Sequence, residues 1–117
     1  MMRKILLTTL VCFLTQLLCA QNKVEVDSAA KHMGEKVTIC TKVFGVKSLD
    51  KLTFINVGAA YPQSPLTIVI FAKDLSNFKD LPETLYNNKH VCITGKIEDY
   101  KGKPEIIITS PEEIIVQ

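Results

Sequence analysis

The sequence predicts an all-β domain with a small helical content, coiled into a five-stranded Greek-key barrel. Three observations point there. Short runs rich in Val and Ile recur along the chain, separated by polar connections containing Gly and Pro, which is the composition of strands and turns. The elements fall in the order helix, three strands, helix, two strands, which suits a small Greek-key barrel. Gly95 interrupts an otherwise Val/Ile-rich strand and marks a bulge or bend where a sheet must coil.

The 117 residues allow one small domain, and part of the chain lies outside it. Residues 1–20 open with Arg3 and Lys4, continue uncharged from Ile5 to Leu18 and end on the small residue Ala20. That is the pattern of a secretory signal peptide, too short and wrongly flanked to span a membrane. Leu18 precedes Cys19 where a lipid-anchor site needs a small residue, so cleavage after Ala20 is expected. The mature domain is then residues 21–117, exported to a periplasmic or extracellular compartment, with no membrane span.

Residues 22–27 are polar and extended. Ser28 reads as the N-cap of a short helix reaching His32 and closed by Gly34. Residues 37–46 form the first strand, bent near Gly45; residues 47–51 connect it to the second, 52–57. Residues 58–65 make a loop longer than a tight hairpin needs. The third strand, 66–72, is the most apolar and should be central. In residues 73–87, Leu75, Phe78, Leu81, Leu85 and Tyr86 recur at helical spacing, with Pro82 forcing a break, so a helix is expected between strands three and four. Residues 90–97 and 105–109 read as adjacent strands joined by a connection containing Tyr100, Gly102 and Pro104. Ser110 and Pro111 stop the last strand. Ile114, Ile115 and Val116 follow as a terminal pairing or a satellite patch.

The residues Val91, Ile93, Thr94, Gly95, Lys96 and Ile97, then Tyr100, Gly102, Pro104, Glu105 and Ile106, then Ser110, Pro111 and Ile114 resemble the last hairpin of the OB-fold. The resemblance is to the nucleic-acid-binding-type OB domains of small secreted bacterial proteins, some of which occur beside secreted nucleases. It extends upstream through Val37-Thr38-Ile39-Cys40 and Thr53-Phe54-Ile55-Asn56-Val57-Gly58, nearly the whole mature chain. It speaks to fold more than to activity, because OB-folds carry many unrelated functions.

In that fold the first and fourth strands are antiparallel neighbours. With Val37, Ile39, Val91 and Ile93 facing the core, Cys40 and Cys92 lie together on the opposite face, so the resemblance implies a disulfide. Two unpaired half-buried thiols are the alternative. A metal or redox site fits less well, for there is no Cys-x-x-Cys spacing and no histidine partner.

OB-folds bind ligands across strands two and three and the loops at their rim. Thr53, Ile55 and Val57 suit the interior, which leaves Phe54 and Asn56 on the outer face. Phe54, Tyr61 and Tyr100 are then stacking platforms for a base or sugar, and Lys47, Lys51, Lys101 and Lys103 are cations beside them. The plainer alternative puts Phe54 in the core, Tyr100 as a brace of its hairpin, and the lysines, interspersed with Glu98, Asp99 and Glu105, on a solvated edge.

Charge limits the ligand. Once Arg3 and Lys4 leave, 12 lysines face 12 acidic residues, so the mature domain is neutral and has no arginine. Proteins held mainly by phosphates usually carry a basic excess. Enzyme chemistry finds little support: His32 and His90, the only histidines, lie in no nucleophile motif, and Glu112-Glu113 reads as helix-start charge. Secreted nucleases on an OB barrel hold phosphate with arginine, which this domain lacks. The expectation is a non-catalytic module for single-stranded nucleic acid or another polyanion, without cofactor or metal. The alternative is an envelope interaction module for a protein, glycan or small ligand.

Overall fold

The computed structural model describes residues 22–117. The expected signal peptide lies outside the described residues. Seven strands form one mixed sheet: β1 (Lys36–Ser48), β2 (Leu52–Val57), β3 (Leu66–Phe71), β4 (His90–Lys96), β5 (Glu98–Tyr100), β6 (Lys103–Ile107) and β7 (Ile114–Val116). Their order is β5-β6-β3-β2-β1-β4-β7, with β3 and β6 parallel and the other pairs antiparallel. β3 is central, as its apolar run predicts.

The expected closed barrel of five strands is corrected here to an open sheet of seven, for two reasons. The strand expected at residues 90–97 does not hairpin directly onto the next one. It ends at Lys96, and the backbone of Ile97 turns aside: Gly34 N–H donates to Ile97 O at 2.7 Å and Ile97 N–H to Glu35 O at 3.0 Å. Groups engaged there cannot continue the ladder, so β5 starts anew and pairs with β6 through a two-residue turn. Lys101 and Gly102 both have positive φ (52° and 85°), the backbone a type I′ hairpin requires. The second reason is β7, which adds itself to the free side of β4.

No ladder joins β4 to β6 among the described residues, so the sheet stays open in hydrogen-bond terms. The two strands nevertheless approach closely across that seam, the backbone of Gly95 against the side chain of Ile106. A Cβ placed at Gly95 would come within 2.7 Å of Ile106 Cγ2, so only glycine lets β4 bend this close to β6. The bend foreseen at this glycine is thus set by packing.

The inner face is apolar except for buried Thr53. Ile39, Ile55, Ile68, Ile70, Ile93 and Ile106 are fully buried, each removing enough surface from water to contribute about 1.5–3 kcal/mol. Ala29 enters from a 3-10 helix (Val26–His32) whose N-cap residue is Glu25, not the expected Ser28. Between β3 and β4 the expected helix is two short pieces, a 3-10 turn (Ala72–Asn77) and α1 (Pro82–Tyr86), because Pro82 can begin a helix but not continue one. Phe78 and Tyr86 from this segment meet edge to face, centroids 6.4 Å apart, and join the core.

β1 and β4 pair over seven positions, and Cys40 stands directly opposite Cys92. The two form a disulfide with Cα atoms 4.0 Å apart, on the face opposite buried Ile39 and Ile93. The placement expected of both cysteines holds.

Candidate cleft on the outer sheet face

The outer face of the sheet carries two cross-strand rows. One runs Lys47–Phe54–Val69–Ile107 and the other Gly45–Asn56–Thr67–Glu105. They follow from alternation: Thr53, Ile55 and Val57 are buried inside, so Phe54 and Asn56 turn outward. Phe54 is half-buried, and the alternative that places it in the core does not hold.

β1 contributes a further aromatic, Phe44, which alternation from buried Val37, Ile39 and Val43 turns outward on the same face as Cys40. The register of β1 on β2 slips between Val43, opposite Val57, and Gly45, opposite Asn56. Phe44 is therefore an extra residue in a bulge, 42% exposed on the outer side. The Lys42 ammonium sits 5.3 Å from its ring centroid.

Above these rows lies a cleft of about 540 Å³, within the range of small-ligand sites. Phe44, Phe54 and Asn56 come from the sheet. Tyr61 reaches it from the loop after β2, and Tyr100 and Lys103 from the β5–β6 hairpin; Lys47 stands at its β1 end. Six of the eight residues expected to bind ligand thus share one cleft. Lys51 lies in the β1–β2 turn and Lys101 in the hairpin turn, where its ammonium lies 5.4 Å from the Tyr100 ring centroid; neither lines the cleft. Sequence reasoning missed Phe44, Thr67, Pro104 and Glu105. Alternation was the signal for three of them: that of β1 for Phe44, and those of β3 and β6 for Thr67 and Glu105.

The polar row is organised. Thr67 Oγ1 donates to Asn56 Oδ1 at 3.3 Å, which holds the buried amide in place. Glu105 is half-buried beside it, and its carboxyl is pushed above the ordinary range by burial and, secondarily, by Glu98 directly across the hairpin. Among the described residues no lysine comes within 4.0 Å of a carboxylate, so neither Lys47 nor Lys103 forms an ion pair with Glu105.

A second, shallower pocket of about 440 Å³ lies beside the Gly95 bend, lined by Lys36, Lys96, Glu98, Glu112 and Glu113 but by no aromatic ring. Glu113 has a structural task there: its Oε1 accepts from Thr109 N–H at 2.9 Å and Ser110 N–H at 3.2 Å, forming a capping box for the 3-10 turn Pro111–Glu113. Glu112 is held below the ordinary carboxylate range by its backbone hydrogen bond and the Ser110 hydroxyl.

No family profile and no curated protein matches the sequence. Solved structures do. An OBody bound to hen egg-white lysozyme superposes with a TM-score of 0.62 at 16% identity, over 84% of this chain and 95% of that one. The Stn1-Ten1 complex of S. pombe gives 0.64 at 14% identity, over 84% and 79%. Aspartyl-tRNA synthetase from Entamoeba histolytica gives 0.61 at 16% identity, over 82% of this chain but 21% of the synthetase. At these identities the likeness concerns backbone architecture, and it shows that this chain has an OB-like fold.

Proposed function

We propose that the protein is an exported, non-catalytic binding module whose outer cleft holds single-stranded nucleic acid. One observation carries the reading: Phe44, Phe54, Tyr61 and Tyr100 line a single cleft with Lys47 and Lys103 at its edge. Aromatic faces stack on bases of any sequence, at about 1–3 kcal/mol per base, while lysines follow the backbone. With net charge zero over residues 21–117, phosphate attraction is local to those lysines, and stacking supplies most of the affinity. The synthetase among the similar folds acts, by its name, on a tRNA. Export rests on residues 1–20, supported by a disulfide suited to an oxidising compartment.

The test is fluorescence anisotropy with a labelled single-stranded oligonucleotide at low and moderate salt. Micromolar or tighter binding that weakens with salt is expected, and Phe54→Ala should weaken it roughly tenfold. Absence of binding at low salt refutes the reading.

A second reading, a module for an envelope protein, glycan or small ligand, is favoured by the edge of β7, which no other described strand pairs with and where Ile115 is 54% exposed. An extended partner segment can pair with such an edge. Several similar folds are OBodies bound to a protein, hen egg-white lysozyme. A pull-down of the mature domain from extract, with protein and nucleic acid identified separately, distinguishes the two.

A further inference from the structure

We infer that the cleft discriminates among bases, favouring those with an exocyclic amino group over thymine or uracil, and that Glu105 is the residue that reads them. The inference rests on the single-strand reading of the cleft. It starts from a mismatch between that reading and the floor of the site. A surface built only to attract phosphate gains nothing from a carboxylate in its lining. Glu105 nevertheless lines the cleft, directly opposite Thr67 in the parallel β3–β6 pairing.

The row around it narrows what the carboxylate can do. Thr67 donates its hydroxyl hydrogen to Asn56, so it is not Glu105's partner. Among the described residues no lysine pairs with Glu105, and Glu98 across the hairpin adds a second negative charge. Burial and Glu98 both disfavour the ionised form, so a ligand that brings hydrogen-bond donors to this carboxylate relieves an existing cost. At the far end of the same row Gly45 has no side chain, and a Cβ there would meet nothing within 4 Å. A base seated at the β6 end of the row has the cleft's aromatic rings near it and a hydrogen-bond acceptor in Glu105, while the open space at Gly45, about 14 Å away across three interstrand spacings, leaves room for a neighbouring nucleotide.

Base chemistry supplies the partner. Cytosine presents its N4 amino group, adenine its N6 amino group, and guanine an amino group beside a ring N–H; all are donors, and a carboxylate accepts from them. Thymine and uracil present a single ring N–H flanked by two carbonyl oxygens, which a carboxylate repels. Stacking alone would not separate the two pyrimidines in this way.

Anisotropy titrations with oligo-dC and oligo-dT of equal length, at pH 7.5 and fixed salt, test the inference, because both are weakly self-stacked pyrimidine chains. The wild-type protein should bind oligo-dC roughly five- to tenfold more tightly. Glu105→Gln should narrow the ratio to within about twofold, since the amide can also donate to the thymine carbonyls. Equal or tighter binding of oligo-dT by the wild type, or a ratio unchanged in E105Q, overturns base reading while leaving the cleft as a single-strand site. Loss of binding to both oligomers by the wild type overturns both readings. An oligo-dT affinity maintained or raised in E105Q separates lost base reading from misfolding, whereas loss of all binding by E105Q, with the fold intact by circular dichroism, rejects the assigned role.

Discussion

The disulfide between Cys40 and Cys92 should supply a large share of the domain's stability, and its contribution can be worked from position alone. The cysteines are 52 residues apart, and closing a loop of that length removes about 14 cal/mol/K of chain entropy from the unfolded state, or about 4 kcal/mol at 25 °C. Against a typical domain stability of about 5–15 kcal/mol this is a major term. Both cysteines sit on the outer face, so Cys40→Ser with Cys92→Ser opens no cavity in the core, and the seven-position pairing of β1 with β4 can still form. The assay is urea unfolding of the oxidised protein and of the double serine variant. The variant should lose roughly 3–4 kcal/mol and show a larger m-value, because its unfolded chain exposes more surface. A loss below about 1 kcal/mol, with m unchanged, would mean that the unfolded state is already compact near these positions and would refute the loop argument.

Three further outcomes are expected. Gly95→Ala should destabilise the fold by about 1–3 kcal/mol in urea titration, because the new methyl meets the branched, fully buried Ile106 at 2.7 Å; a neutral result would show that the seam yields freely. Glu113→Ala should cost about 1 kcal/mol through loss of the capping box, and hydrogen exchange at Ile114 to Val116 should rise before the rest of the sheet opens. Glu105 has a raised pKa in the fold, so folding favours its protonated form, and wild-type stability falls as pH rises from the ordinary glutamate range through that raised value. Glu105→Gln removes this slope. Thermal melts should show its advantage at pH 7 and none below about pH 4, under the unfolded glutamate pKa; an advantage independent of pH rejects the assignment.

Much of the fold was legible because side-chain alternation is local. The bounds of β2, the central place of β3, the shared face of the two cysteines and the bend at Gly95 all follow from alternate burial and one missing Cβ. What could not be read depended on partners distant in sequence. The strand from His90 appears continuous through Ile97 until the backbone of Gly34 and Glu35 engages Ile97 and divides it. Ile114 to Val116 read equally well as a terminal pairing or a satellite patch until β4 offers them an edge. The candidate site divides the same way. Phe54, Asn56 and the outward turn of Phe44 follow from the period of their own strands, whereas Glu105 joins the Asn56–Thr67 row only because β6 pairs with β3, and Gly45 and Lys47 share the face of Phe44 only because the ladder slips by one residue.

That slip separates architecture from recognition. Phe44 stands outside the β1–β2 register, so its side chain answers to the cleft and hardly at all to the sheet. A larger ring, a smaller one or a polar group could replace it while every strand keeps its neighbour. The domain thus holds one position where its taste for ligands can be retuned at little risk to the scaffold.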